Sequence, residues 1–254
     1  MNYRNLYKLQ NLRPPNSFHV VMLVCCKKSI EDCVMYVKES LDKVVYKNFI
    51  TGFYSCIYHP GEVLDPAELA EKYGVSRTPV VQALKRLANE KIIGVRGNGR
   101  FFIPIPTEAT LRGVCRTRIL FEQEAIVQLV TNHNEESIHN LHEMAECCFL
   151  GIETENSLES VKRDMDFHRM LVASAGNSCL QELYGVVLNR YISIKYVLRD
   201  QYINQKAAAN RHLEMMHYID VGDAESAKMC SEKHIQSSMD FMIGIINSTL
   251  EDSR

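Results

Sequence analysis

The chain has 254 residues, 46% hydrophobic and 24% charged, with a formal net charge of −2. That length suits two modest domains or one large one, and the apolar content is enough to bury real cores, which excludes a low-complexity chain. Nine cysteines, an odd number with no zinc-spaced CxxC pattern, are expected as free thiols in a reducing cytoplasm rather than as a disulfide scaffold. The apolar run FHVVMLVCC is far too short to span a membrane and lacks a small-residue cleavage site, so neither a membrane segment nor a secretory signal is expected.

In chain order, residues 1–28 form an arm with no strong pattern, and Pro14-Pro15 interrupts any helix there. A helical period begins after Ser29, with Ile30, Val34, Val37, Leu41, Val44, Val45 and Phe49 recurring at three and four. Ser29 with Asp32 resembles a capping box, and Gly52 marks the expected stop. Pro60-Gly61 is a tight turn. Asp65 can cap a helix that begins at Pro66, and Gly74 suits the left-handed position after it. Ser76 can cap the next helix, Arg77 to about Glu90. Two short helices joined by a tight turn make a helix-turn-helix. The stretch IIGVRGNGRFFIPI alternates around Gly97-Asn98-Gly99 as a two-stranded hairpin, and Pro104 and Pro106 make a short, stiff linker. From Thr107 onward the period is helical throughout, with helices expected over 107–132, 135–152, 156–175, 178–202, 205–221 and 223–248. The expected fold is therefore mainly α: an N-terminal winged helix-turn-helix over 29–104 and a C-terminal all-α bundle over 107–250.

Charge is distributed unevenly between these parts. Ser76 to Pro104 holds six Lys/Arg against one Glu, about +5, so the remainder sums to about −7. A basic second helix and wing point to double-stranded DNA, with residues 76–86 in the major groove. Ser76 and Thr78 stand at the helix start, where hydroxyls and amides hold a phosphate. Arg77 can pair a phosphate or a guanine edge. Lys85 and Arg86 read as contacts to the DNA backbone. Arg96 and Arg100 flank Gly97 and Gly99, which would let the wing approach a minor groove or a phosphate.

In the second half, Asp164 and His168 are four apart and share a helix face with Leu171 and Ala175. A carboxylate facing inward is costly unless it is paired or bound to metal. His212 lies ten residues before Gly222 and His234 twelve after it. If Gly222-Asp223 turns an antiparallel helix pair, both imidazoles stand about 15–18 Å from the turn, level with each other. His212 shares its stripe with Met216 and Ile219, and His234 shares its stripe with Ala227, Cys230, Phe241 and Ile245. One such histidine is more often a satisfied core residue. Four groups able to converge on one bundle core favour a divalent transition metal, zinc first and nickel or manganese as alternatives. His139, His142 and His217 read as solvated, and Cys230 as a small core residue.

The segment PGEVLDPAELAEKYGVSRTPVVQALKRLANEKII resembles the DNA-binding domain of the GntR family of bacterial regulators. The resemblance implies that Ser76, Arg77, Thr78 and Pro79 begin the recognition helix and contact an operator. Two departures stand out: Val81-Gln82 where the family commonly has Arg-Glu, and Lys91 where it commonly has Gly. The segments DFHRMLVASAGN, RHLEMMHYIDVGDAESA and KHI resemble the helical FCD domain of the FadR-type branch. That resemblance implies Asp164, His168, His212 and His234 as the metal ligands. It places Arg118, of an Arg-x-x-x-Glu pair with Glu122, and Asn177, a helix cap, near an effector pocket. The expectation is thus a cytoplasmic, homodimeric regulator that represses from a palindromic operator and answers to a small carboxylate. A metal-dependent enzyme, or a regulator whose metal is structural or is itself the signal, are the alternatives. The sequence names neither effector, operator, regulated genes nor native metal, and gives residues 1–28 no role.

Overall fold

The computed structural model describes residues 39–55, 57–150, 157–198 and 205–251. The arm over 1–28 and the start of the first predicted helix, with its Ser29/Asp32 box, lie outside the described residues. Helix α1 spans Leu41–Tyr54 and buries Val45, Phe49, Gly52 and Phe53. It begins after the non-helical Glu39 and Ser40 and runs through Gly52 instead of stopping there. Gly52 is where the Tyr58 ring closes on the helix: a Cβ there would meet the ring at 3.4 Å. Phe49 and Tyr58 stack at 4.5 Å.

Helix α2, Pro66–Tyr73, is capped as its sequence indicates. Asp65 accepts from the Ala67 amide, and Gly74 takes φ 64° while its amide bonds back to α2. Helix α3 spans Arg77–Asn89 and buries Pro79, Val80, Ala83, Leu84 and Leu87 against α1 and α2. Ser76 holds the capping backbone angle, yet its hydroxyl makes no capping bond. Helix α3 closes with amides of Lys91 and Ile92 returning to the carbonyls of Ala88 and Leu87. This closure needs a left-handed residue, and Lys91 supplies it at φ 63° without being glycine.

The wing has three strands, not two. Strands β2 (Gly94–Val95) and β3 (Phe101–Phe102) pair with Gly94 opposite Phe102, and β1 (Val63–Leu64) flanks β3 on its other side. A strand of two residues has no period to read, which is why β1 escaped the sequence. The Phe102 ring lies over Gly94, where a Cβ would sit 2.5 Å from it.

Six further helices follow: α4 Glu108–Asn132, α5 Glu135–Leu150, α6 Ser157–Ser174, α7 Ser178–Val197, α8 Gln205–Asp220 and α9 Ala224–Glu251. Thr107 caps α4, Asn177 caps α7, and Gly222 at φ 77° turns α8 into α9. Helix α7 ends at Val197, short of the expected 202. No helix among the described residues is long and apolar enough to cross a membrane. One apolar cluster runs unbroken from Phe53, Leu87 and Ile92 into Leu188, Tyr196 and Met242. A second joins Leu129, Leu141, Leu171, Met216 and Ala227. Helix α6 feeds both, with Met165 and Val172 in the first and Phe167 and Leu171 in the second.

A lysine held left-handed costs roughly 1–2 kcal/mol, part of which glycine returns as lost unfolded-state order. Lys91→Gly should therefore raise the thermal midpoint by about 1–3 °C, and a lower midpoint would show that Lys91 holds its corner by side-chain contacts.

Candidate metal centre

Helix α6 carries Asp164 and His168 one turn apart, α8 carries His212, and α9 carries His234. The Gly222 turn sets the last two level. These four residues each offer one ligand atom, and the atoms lie within 4.8 Å of one another. Asp164 Oδ1 stands 3.7 Å from His168 Nε2, 3.3 Å from His212 Nε2 and 3.5 Å from His234 Nε2. His168 Nε2 and His234 Nε2 are 2.9 Å apart. Ligand atoms about 2.0–2.2 Å from one zinc ion are roughly 3–3.5 Å from each other; the Asp164 distances lie close to that range, and the wider pairs, up to 4.8 Å, would draw together on an ion. His168, His212 and His234 are buried, and His212 stacks on Phe167 at 4.1 Å. Asp164 Oδ1, both nitrogens of His212 and His234 Nδ1 have no hydrogen-bond partner. Of these, Asp164 Oδ1 and His212 Nε2 face each other at the centre of the group, and orphaned buried atoms so placed are what a cation would satisfy.

The electrostatics leave lone pairs at that point. Burial pushes His234 down to about 3, and the neighbouring His212 adds to the shift. Burial lowers His212 as well. Burial is the largest influence on Asp164 and opposes its charge, but Lys195 and the three imidazoles together outweigh it and hold the carboxyl well below its usual range. Lys195 Nζ lies 3.2 Å from Asp164 Oδ2, which leaves Oδ1 for the centre. Burial is also the largest influence on His168 and opposes its protonation, but the charge of Glu122 with the hydrogen bonds to Asp164 and Glu122 together raises the imidazole.

Glu122 is the hub behind the ligands. Its Oε2 sits 2.9 Å from His168 Nδ1 and accepts from Ser231 at 3.1 Å. Its Oε1 accepts from Tyr184 at 2.6 Å and from Arg118 Nε and Nη2 at 3.1 and 2.9 Å. Burial opposes its ionisation, but His168 and Arg118 together hold the carboxyl low. With His168 Nδ1–H given to Glu122, its Nε2 lone pair faces the other ligands, the usual second partner of a metal-bound imidazole.

Both residues expected near an effector pocket have partners within the protein. Arg118 is fully buried and bonded to Glu122, with its guanidinium 4.1 Å over the Tyr191 ring. Asn177 Oδ1 accepts from the Leu180 amide at the start of α7. The stripe assigned to His234 also needs correction. Past His234 the buried positions are Ile235, Met239, Met242, Ile243 and Ile246, whereas Phe241 is exposed. His142 pairs with Asp220, and His139 and His217 are exposed.

On the head, Ser76, Arg77, Thr78, Lys85, Arg96, Gly97, Gly99 and Arg100 are all exposed. Pro79 is buried in the first turn of α3, so its ring serves the head's core and cannot touch a partner. Arg86 is half exposed but committed: Nε bonds Glu90 at 2.9 Å and the guanidinium stacks on Tyr46 at 4.1 Å. The hairpin tip is set by Arg96 N donating to Arg100 O, with Gly99 at φ 79°.

Residues 53–103 match the family of bacterial regulatory proteins named gntR. Residues 114–237 match the FCD domain. The chain belongs to the GntR family of transcriptional regulators. It is similar to the gluconate operon transcriptional repressor of Bacillus subtilis (strain 168), 28% identical over 153 residues, which make up 58% of this chain and 63% of that one. It is also similar to the Nta operon transcriptional regulator of Aminobacter aminovorans, 25% identical over 199 residues, 77% of this chain and 91% of that one. Among solved structures it shares its fold with E. coli McbR/YncC, at a TM-score of 0.67 and 21% identity over 80% of this chain and 97% of that one. Both matched families are families of regulators, so this GntR protein is not a metalloenzyme.

Sequence reasoning missed three parts of this regulator's candidate sites. Lys195 lies in a helix whose apolar residues hide its direction. Tyr184 and Ser231 reach Glu122 from α7 and α9, contacts that no spacing encodes. Gln82 counted only as a departure, yet it is exposed one turn after Thr78 and carries the two-pronged amide that reads adenine.

Removing Glu122 would strand the buried Arg118 charge, a loss of about 3–5 kcal/mol, whereas replacing both partners by apolar residues costs less. Glu122→Ala should therefore melt well below the Arg118→Met/Glu122→Leu double variant in denaturant titrations. Equal midpoints would show that Glu122 acts independently of Arg118.

Proposed function

We propose that this GntR regulator is a homodimeric repressor whose grip on a palindromic operator is set by a small carboxylate bound at a divalent metal ion. Zinc is the first choice for the ion, with nickel or manganese as alternatives. The observation that carries it is the convergence of one carboxylate oxygen and three imidazole nitrogens within 4.8 Å inside a helical core. Asp164, His168, His212 and His234 would hold the ion, which when bound supplies a Lewis-acidic point for an anionic oxygen.

The charge count supports an anionic effector. Arg118 is offset by Glu122 and Lys195 by Asp164. A divalent ion among neutral imidazoles adds two positive charges to a buried place, and burying them calls for an anion. A carboxylate effector is that anion. Because Arg118 is tied to Glu122, its task in this scheme is to hold the hub. Asn177 keeps its task as a helix cap.

Residues 29–104 would make the reading head and 107–250 the sensing domain, divided at Pro104–Pro106. Arg77, Thr78 and Gln82 would face base edges while Ser76, Lys85, Arg96 and Arg100 hold phosphates. Leu120, Leu183 and Val186 stand exposed on α4 and α7, which pack together, and a second copy would cover them. Two heads then match the two halves of a palindrome, and the operator places the protein in the bacterial cytoplasm.

The test begins with selection from a pool of random duplexes by the full-length protein. One palindromic motif should emerge, and failure to enrich any motif would overturn the proposal. Arg77→Ala should bind the selected duplex about ten-fold or more weakly, the worth of a lost 1–3 kcal/mol contact. A panel of small carboxylates should weaken binding by the metal-loaded wild type and leave chelator-treated protein unmoved.

Metal and fold are linked, so chelation should lower the melting temperature. Native mass spectrometry of His212→Ala should show lower metal content than the wild type, and full occupancy would remove His212 from the ligand set.

A further inference from the structure

Helix α7 ends in a segment covered on every side. Tyr191, Ile192, Ser193, Ile194, Lys195, Tyr196 and Val197 are all buried. A helix packed against one neighbour leaves a wet face, so seven consecutive buried residues mean that it is sandwiched. Its two faces touch different things. Tyr191 and Lys195, one turn apart, face the bundle interior. Lys195 bonds Asp164, its ammonium lies 5.4 Å from the Tyr191 ring, and Arg118 lies over the same ring. Tyr191 also pairs with Ser238 of α9 at 2.8 Å.

Ser193 and Tyr196 lie about 150° away around the helix, at 3.6 residues per turn. They face the head. Ser193 Oγ donates to the Ile92 carbonyl at 2.8 Å. Ile92 is the corner where α3 ends and the wing begins. The Tyr196 ring stacks on Tyr54, in the last turn of α1, with centroids 4.4 Å apart and planes at 23°. It also meets Phe53 at 6.1 Å. One rigid turn of helix therefore holds a candidate metal ligand on one side and two elements of the reading head on the other.

We propose that the last two turns of α7 are the joint through which the head senses the metal centre, with Lys195 tying the joint to Asp164 and with Ser193 and Tyr196 tying it to α1 and the α3–wing corner. This rests on the metal centre proposed above. Asp164 has one oxygen for the centre and one for Lys195. Its position is shared between the ion and α7, and packed interiors pass such displacements on rather than absorbing them. The three joint residues are positioning residues: Ser193 and Tyr196 act on the head through Ile92 and Tyr54, and Lys195 acts on the centre through Asp164.

The test uses the full-length protein stripped by a chelator, with Zn²⁺ alone as the probe. Metal affinity is read by calorimetry and amide exchange by mass spectrometry. In the wild type, Zn²⁺ should bind and slow exchange at the end of α1 and at the α3–wing corner. Ser193→Ala/Tyr196→Leu should bind Zn²⁺ as the wild type does, with loss of the exchange response in the head. Ser193→Ala alone, which keeps the packing, should weaken that response and so covers the case in which the double variant does not fold. A head that responds in these variants as in the wild type would overturn the joint, as would a wild-type head that ignores bound Zn²⁺. A wild type that binds no Zn²⁺ would instead remove the metal centre, and the joint with it.

Discussion

The helical half of the molecule is governed by a cost. Four polar side chains, Asp164, His168, His212 and His234, are turned into an apolar core, and several of their atoms meet no protein partner. Each such atom costs about 1–3 kcal/mol if left unsatisfied. A chain this close to marginal stability cannot carry that cost at random. The surroundings explain how it is managed. Lys195 fixes one oxygen of Asp164, Glu122 fixes one nitrogen of His168, and Phe167 presses on His212. Of the atoms left unsatisfied, Asp164 Oδ1 and His212 Nε2 face one place. Helix lengths, the Gly222 turn and the packing of α6 between two apolar clusters all serve to hold it there.

That arrangement was partly legible in the sequence because helical geometry is periodic and local. The four-residue spacing of Asp164 and His168 and the near-symmetry of His212 and His234 about Gly222 each place two groups with no knowledge of the fold. The caps of α2 were legible for the same reason: Asp65 and Gly74 act on backbone within a few residues, whereas Ser76 takes the capping angle without a capping bond. Sequence failed where position depends on which helix packs where. The stripe through His234 was extended to Phe241, but α9 turns that ring to solvent. Lys195 was invisible because the last two turns of α7 are buried all round and offer no polar face to contrast with. Arg118 was placed near an effector pocket by resemblance, and what the sequence could not tell is that its Nε and Nη2 both bond Glu122.

The head shows the same division. Its fold follows from turn chemistry, but the tasks of its cations do not. Arg77 and Arg86 look equivalent in the sequence, yet a stack on Tyr46 and a bond to Glu90 draw Arg86 into the protein. Pro79 belongs to the motif by type and to the core by position. Lys91 keeps a left-handed angle that glycine would adopt more cheaply. At that corner the backbone geometry is kept although the residue differs, so the exit of α3 matters more than the side chain there. The corner is also where Ser193 of α7 takes hold of the head.

A regulator must do more than contain a reader and a sensor; the two have to share a mechanical path. Pro104 and Pro106 stiffen the covalent connection, but a linker passes on only the motion of its ends. The apolar cluster that crosses from α1 and α3 into α7 and α9 is a wider path, because close-packed side chains cannot shift singly. A head packed into the same core as the helices behind it is held at an angle set by that core. In the proposed scheme, a change in how Asp164 is held would act on α3 by contact, and the linker would need only to follow.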